Sequence, residues 1–157
     1  MRVGLGYDSH RFAEGRPLIL GGQRIPFEKG LLGHSDADAV THAVIDAVLG
    51  AAGASDIGTM FPDNESRWKD IDSLVLLRMA KDHLAALGFT PKQVDVTVIL
   101  ERPRLGVYRH AMAATLAGEL GIETEAVSIK AKTNEGMGFI GRGEGIAVMA
   151  VATVEGP

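Results

Sequence analysis

Asp8 and His10 stand two apart in Gly6-Tyr7-Asp8-Ser9-His10. In an extended strand, where successive side chains alternate faces, they project from one face about 7 Å apart. A carboxylate and an imidazole are then offered side by side. Two polar residues at this spacing also describe the wet face of an ordinary strand. The surroundings sharpen the question. Gly4 and Gly6 are poor strand residues unless the backbone must approach something closely, and His42 follows on the next long helical pattern. Asp8, His10 and His42 together would make an open zinc site, because zinc takes carboxylate oxygen and imidazole nitrogen, and catalytic sites keep a fourth position free. Ligands on separate elements have no fixed separation to test, so spacing alone leaves both readings standing.

Positioning His42 falls to a predicted helix over 36–50. Ser35 or Asp36 is placed to cap its start and Gly50 sits near its end. Ala37, Val40, Val44, Ala47, Val48 and Ala51 form an apolar stripe, and Asp38, His42 and Asp46 fall at i, i+4, i+8 on another face. A solvated face would carry Lys, Glu and Arg, which this segment lacks. A ligating His usually donates its second ring N–H to a carboxylate or carbonyl, and Asp46, one turn from His42, is the expected partner.

The rest of the chain must hold these elements together. Its 157 residues suit one domain, 1–157, with a sizeable core. With 46% hydrophobic and 23% charged residues it reads as globular. A net charge of -4 gives no general basic surface for a nucleic-acid backbone. No cysteine is present, which removes disulfides, thiolate nucleophiles and Cys-ligated zinc. No stretch approaches the length of a membrane span and no signal segment precedes the first strand, so a cytoplasmic location is the default expectation.

The patterns predict a strand over 1–12, a hairpin over 17–26 turning at Gly21-Gly22, and a long functional loop over 53–67. A helix over 72–87 follows, with Leu74, Leu77, Ala80, Lys81, Leu84 and Leu87 on one face. A strand over 94–100, a helix over 109–120 and strands over 127–133 and 145–154 complete the order, and 146–152 reads as an almost continuously buried run. Strand and helix alternate without a linker, which predicts one layered α/β domain. Gly136-Met137-Gly138-Phe139-Ile140-Gly141 matches G-x-G-x-x-G, but the helix and distant ribose-binding acid of a dinucleotide site do not follow. These glycines are expected to form a close-approach loop.

Several motifs stand together in order: Gly6 to His10, His34-Ser35-Asp36-Ala37-Asp38 with His42, Asp56-Ile57-Gly58, Phe61-Pro62-Asp63, Lys130 to Glu135, and Gly138 to Gly145. In these, from end to end, the chain resembles the 2-C-methyl-D-erythritol 2,4-cyclodiphosphate synthase family of the non-mevalonate isoprenoid pathway. The resemblance implies an α+β domain with a mixed β-sheet covered on one face by helices, assembled as a homotrimer with sheets packed around the threefold axis. It implies a CMP-releasing phosphorus–oxygen lyase. The 2-phosphate of 4-diphosphocytidyl-2-C-methyl-D-erythritol 2-phosphate attacks the β-phosphorus, and an eight-membered cyclic diphosphate forms.

By the same resemblance Asp8, His10 and His42 hold Zn²⁺, whose fourth ligand is a β-phosphate oxygen. Glu135 holds a second divalent cation, Mg²⁺ or Mn²⁺, bridging the α- and β-phosphates. His34 and Thr133 correspond to transition-state stabilisers. Ser35, Asp56, Ile57, Gly58, Phe61, Pro62, Asp63, Asn64, Glu65, Phe139 and Arg142 correspond to substrate-binding positions, 61–65 being the flap over the methylerythritol. Leu100, Arg104, Leu105, Gly106, Ala131, Lys132 and Thr133 correspond to the CMP site. Arg104, Gly106, Lys132 and Asn134 depart from the family's usual residues there. Each site is expected between adjacent subunits, and Arg142 and Phe139 at a threefold cavity that takes phosphate, sulfate or an isoprenoid diphosphate. His83 and His110 lie outside every motif and are expected at the surface.

Two other classes compete. A zinc-dependent phosphohydrolase would use the same ligands with metal-bound water as the attacking group. A non-catalytic metal- or nucleotide-binding module would bind CMP without turnover.

Overall fold

A computed structural model describes residues 1–157. The chain runs through β1 (Arg2–Ala13), β2 (Leu18–Leu20), β3 (Gln23–Ile25), β4 (Gly30–Leu31), α1 (Ala39–Ala52), the single turn α2 (Ile57–Met60), α3 (Ser73–Ala86), β5 (Thr90–Ile99), α4 (Arg109–Leu120), β6 (Val127–Lys132), the single turn α5 (Gly138–Gly141) and β7 (Gly145–Glu155). The main sheet has the order β4-β1-β7-β5-β6 and is mixed: only β5 and β6 run parallel. The helices lie against one face of it, over a single hydrophobic core. This is the α+β arrangement expected above.

Along β1 the residues facing the helices are Gly4, Gly6, Asp8 and His10, while Val3, Leu5 and Tyr7 face away and are exposed. The two glycines explain how close α1 comes. A Cβ on Gly6 would lie 1.9 Å from the Ala43 carbonyl oxygen, and one on Gly4 would lie 2.2 Å from that of Ala47. With no side chains between them, β1 and α1 meet backbone to backbone, and Asp8 and His10, further along the same face, come within reach of His42.

Helix α1 starts at Ala39, three residues later than the sequence suggests, because Ala37 adopts φ 59° and Asp38 is the cap. Asp38 therefore does not share a helix face with His42 and Asp46. Its fully buried carboxylate accepts from Thr41 N (3.0 Å), Thr41 Oγ1 (2.7 Å), Gly21 N (2.8 Å) and Gly22 N (2.8 Å). Burial pushes this carboxyl up, against the pull of its hydrogen bonds from Thr41 and Gly22. One side chain so ties the β2–β3 turn to the start of the helix that carries His42. The missing Lys, Glu and Arg also have a cause: α1 is buried nearly all round, between the sheet and α3.

Three further expectations are corrected. The 53–67 connection is not structureless, since α2 and a 3₁₀ turn at Ser66–Trp68 interrupt it or close it. Helix α3 buries Leu76, Leu77, Ala80 and Leu84, while Leu87 is exposed and Leu74 and Lys81 are only partly covered. The run over 146–152 is not continuously buried. Met149 and Val151 are 45% and 41% exposed, because β7 is a middle strand of a sheet with one uncovered face. Apolar residues on both faces had hidden the alternation. The 136–141 segment does form a close-approach turn: a Cβ on Gly141 would lie 2.0 Å from the Gly136 carbonyl carbon. His83 and His110 are exposed, as expected.

Candidate metal centre and active site

Asp8 and His10 from β1 and His42 from α1 converge. Asp8 Oδ2 lies 2.8 Å from His10 Nε2 and 3.1 Å from His42 Nδ1, and the two ring nitrogens are 3.3 Å apart. His10 Nδ1–H donates to the Leu32 carbonyl at 2.8 Å; a carbonyl can only accept, so one proton is fixed there and Nε2 is the nitrogen that faces the cluster, donating to Asp8 Oδ2 when protonated and offering a lone pair when not. Burial works against the charged form of both partners, yet their mutual hydrogen bond and attraction prevail. Asp8 is held below the usual carboxylate range, with help from His42, and His10 above the usual imidazole range. Two imidazole nitrogens and a carboxylate oxygen within 4.8 Å of one another, beside an open cavity, match in type the donors that catalytic zinc sites use. The residues present fit such an ion.

The cavity is about 380 Å³ and is lined by His10, His42, His34, Ser35, Ile57, Gly58, Phe61 and Asp63, all singled out from sequence, and by Gly33, Trp68 and Leu76, which were not. Trp68 meets Phe61 edge-on at 5.1 Å and carries the Arg67 guanidinium over its face at 4.3 Å. Arg16 donates to the carbonyls of Gly33 (3.2 Å) and Ser35 (2.8 Å), clamping both sides of His34. His34 Nε2–H donates to Glu65 O at 3.0 Å, so this imidazole joins the turn before α1 to the 61–65 segment. Asp56, Pro62, Asn64 and Glu65 belong to the same connection without lining the cavity. Asp56 caps α2 through Thr59 N at 2.8 Å, and hydrogen bonding from the Thr59 side chain, then from its backbone N–H, holds the carboxyl below the usual range.

Asp46 is not the partner of His42. Its Oδ1 accepts from Ile57 N at 2.7 Å, fixing the start of α2. Burial pushes this carboxyl up, the Ile57 bond opposes, and the charges of Asp56 and Asp8 push it further up. The second nitrogen of His42 turns instead to Ser73 Oγ (2.8 Å) and Ser35 Oγ (3.1 Å). Helical spacing pointed to the carboxylate on the same element, whereas the real neighbour comes from α3.

A second cavity of about 450 Å³ is lined by Leu100, Arg104, Leu105, Gly106, Ala131, Lys132 and Thr133 with Glu101, Pro103 and Arg109. It shares no residue with the first. Glu101, which sequence reasoning missed, accepts from Asn134 N (2.9 Å) and Gly136 N (2.8 Å) and so braces the turn that carries Glu135 at φ 53°. Glu135 N donates to Thr133 Oγ1 at 3.3 Å, and the Glu135 side chain is exposed. Phe139 lines a third recess of about 270 Å³ with Ser9, His10, Arg11, Glu144 and Gly145. Arg142 pairs with Glu144 at 2.8 Å, so its guanidinium already has a carboxylate partner in its own chain.

With this geometry in hand, the comparisons with known proteins are specific. The family profile described as the YgbB family matches residues 1–155. A relative from Salinibacter ruber named 2-C-methyl-D-erythritol 2,4-cyclodiphosphate synthase is 51% identical over 155 residues, covering 99% of each chain. One of the same name from Neisseria gonorrhoeae is 55% identical over 150 residues, 96% of this chain and 94% of its own. A solved 2C-methyl-D-erythritol-2,4-cyclodiphosphate synthase in a CDP-bound form superposes with TM-score 0.89 at 39% identity, over 98% of this chain and 100% of that one. The bifunctional IspDF of Campylobacter jejuni superposes with TM-score 0.95 at 38% identity over 99% of this chain, which spans 42% of that longer protein. The chain belongs to the YgbB family, alongside the 2-C-methyl-D-erythritol 2,4-cyclodiphosphate synthases of Salinibacter ruber and Neisseria gonorrhoeae.

Proposed function

We propose that residues 1–157 act as a single domain that converts 4-diphosphocytidyl-2-C-methyl-D-erythritol 2-phosphate to 2-C-methyl-D-erythritol 2,4-cyclodiphosphate and CMP. A bond forms between a 2-phosphate oxygen and the β-phosphorus, and the bond from that phosphorus to the bridging oxygen breaks. The bridging oxygen departs on CMP. The observation that carries this reading is the convergence of Asp8, His10 and His42 at the mouth of the cavity lined by His34, Ser35, Ile57, Gly58, Phe61 and Asp63.

The substrate supplies both attacking and leaving groups, so the protein has to hold its two ends together and offset the charge that grows between them. Positioning of this kind can remove about 7–11 kcal/mol of barrier. Asp8, His10 and His42 would hold Zn²⁺, and Glu135 would hold Mg²⁺ or Mn²⁺; when bound, such ions supply Lewis-acid neutralisation of phosphoryl oxygens. A single carboxylate with substrate phosphates and water is an ordinary Mg²⁺ environment. His34 and Thr133 would supply hydrogen bonds to phosphoryl oxygens. Because Nε2–H of His34 is committed to Glu65 O, Nδ1 is the ring nitrogen left for substrate. Ile57, Gly58, Phe61 and Asp63 enclose the methylerythritol, with Asp56, Pro62, Asn64 and Glu65 in the covering segment. The cavity of Leu100, Arg104, Leu105, Gly106, Ala131, Lys132 and Thr133 takes CMP. In support, the solved relative with TM-score 0.89 is a CDP-bound form.

Phosphorus-31 NMR on enzyme incubated with substrate and divalent ions tests the proposal. A cyclic diphosphate with one equivalent of CMP is expected. CMP with a linear product would mean hydrolysis by water, and CMP binding without turnover would mean a mere binding module; either overturns it.

The same reading makes the enzyme a homotrimer with shared sites. The two cavities are separate within one chain, and the uncovered sheet face carries Val3, Leu5, Tyr7, Met149 and Val151. Exposed apolar surface in a contiguous patch marks an interface. The metal-binding half then comes from one subunit and the 100–106 and 130–135 half from its neighbour. Phe139 and Arg142 would lie near the threefold axis, where a phosphate or isoprenoid diphosphate could compete with Glu144 for the guanidinium. Co-refolding His42→Ala with Glu135→Ala chains, each inactive alone, is expected to restore activity, since some interfaces join an intact half from each. No recovery in verified mixed trimers would place each site within one chain. No helix is long and apolar enough to cross a membrane, and the reading places the enzyme in the cytoplasm.

A further inference from the structure

We propose that Ser73 and Asp36 form a hydroxyl-mediated relay behind His42 that fixes its tautomer and aims Nδ1 at the metal, which makes both of them positioning residues. The proposal rests on the reading of Asp8, His10 and His42 as a zinc site.

His42 lies at the junction of two sets of polar atoms. On its Nδ1 side are Asp8 Oδ2 and His10 Nε2. On its Nε2 side are Ser73 Oγ at 2.8 Å and Ser35 Oγ at 3.1 Å. A neutral imidazole has one N–H and one lone pair, and a ligating nitrogen must be the one without the proton. Which nitrogen that is follows from Ser73. Its hydroxyl has one proton and faces Asp36 Oδ1, while its backbone N–H donates to Asp36 Oδ2 at 3.0 Å. An ionised carboxylate only accepts, so the Ser73 hydroxyl donates to Asp36 and turns a lone pair to His42. With an ion in place Nε2 must then carry the proton, and the Nδ1 lone pair is left for the ion that Asp8 and His10 would share.

Both ends of the relay are held. Ser73 is the first residue of α3 and fully buried, where a hydroxyl without partners would be costly. Asp36 is bound from three directions, accepting from Asp38 N at 3.1 Å and from Ser73, while its own N–H donates to Ile71 O at 3.1 Å. The 34–38 turn and the start of α3 are thus joined behind the ligand. For His10 the backbone carbonyl of Leu32 does the same work with one bond; His42 has no such carbonyl at Nε2 and uses a serine with a carboxylate behind it. A partner of this kind raises ligand basicity as well as fixing orientation.

The test is zinc affinity by competition with a chelator, alongside long-range nitrogen-15 NMR of the His42 ring in the zinc-loaded protein. Ser73→Ala is expected to weaken zinc binding by about 10- to 100-fold, the usual cost of losing such a partner, with Asp36→Asn in the same direction and Ser73→Thr close to wild type because it keeps the hydroxyl. NMR of the wild type is expected to place the proton on Nε2. Wild-type affinity in Ser73→Ala, equal losses in Ser73→Thr and Ser73→Ala, or a proton on Nδ1 would each overturn the relay. The NMR result needs no variant, so a variant that fails to fold leaves the proposal exposed to it. A wild-type chain that takes up no zinc would overturn the metal reading together with the relay, an outcome distinct from a relay that fails alone.

Discussion

His42→Ala is expected to leave a folded protein that retains less than a tenth of the wild-type zinc and turns over roughly a thousandfold more slowly, since a Lewis acid contributes several kcal/mol at about 1.4 kcal/mol per tenfold. The ring is one of three donors whose atoms already lie within 3.3 Å of a neighbour. Two remaining donors cannot hold the ion against water and buffer. Removing the imidazole also takes one partner from each of the Ser73 and Ser35 hydroxyls, which keep Asp36 and Ala37 N, a cost of about 0.5–1.5 kcal/mol per bond lost. The two effects are separable: metal content by atomic emission reports the first, and urea unfolding of metal-free wild type and variant reports the second. Wild-type turnover in a zinc-depleted His42→Ala enzyme would defeat the metal mechanism whatever the stability proves to be.

The order of elements was readable because each leaves its own mark on the chain. Gly121 ends α4 where the helical pattern stops, in the left-handed conformation, and Gly21-Gly22 turns the β2–β3 hairpin with positive φ at both residues. Gly4 and Gly6 announced a close approach on the face that carries Asp8 and His10, but it was the family resemblance that joined His42 to them. What the sequence hid were relations between elements that share no period. Ser35-Asp36-Ala37-Asp38 offers several side chains able to cap a helix, and the positive φ of Ala37 decides for the last of them. Asp46 stood one turn from His42 and looked like its partner, yet a residue on the same helix loses to Ser73 of α3 once the helices pack. Glu101 braces the Glu135 turn across more than thirty positions, a separation that no local pattern encodes.

Gly6→Ala is the sharpest probe of how the fold makes the site. The added methyl would lie 1.9 Å from the Ala43 carbonyl oxygen and 2.8 Å from Ala47 N. Both are backbone atoms of α1, so no side-chain rotation relieves the clash. Restoring an ordinary separation of about 3.5 Å requires the helix to move off the strand by more than an ångström. Overpacking usually costs about 1–3 kcal/mol and occasionally more, and a clash between two backbones belongs at the upper end. The movement also falls where it matters, because Ala43 follows His42 and Gly6 precedes Asp8 by two residues. Zinc content and turnover are therefore expected to fall with stability. Gly4→Ala meets Ala47 O at 2.2 Å and Ala51 N at 2.3 Å, farther along α1 from the ligand, so it is expected to lower stability as much but metal affinity less. Gly50→Ala supplies the control. It lies on the same helix with only Leu5 O near its Cβ, at 4.0 Å, and is expected to be neutral or to stabilise by up to about 1 kcal/mol. Urea midpoints and zinc per subunit across these three variants separate close approach from mere glycine loss. A Gly6→Ala protein with wild-type stability and a full complement of zinc would show that the contact between β1 and α1 does not set the ligand geometry.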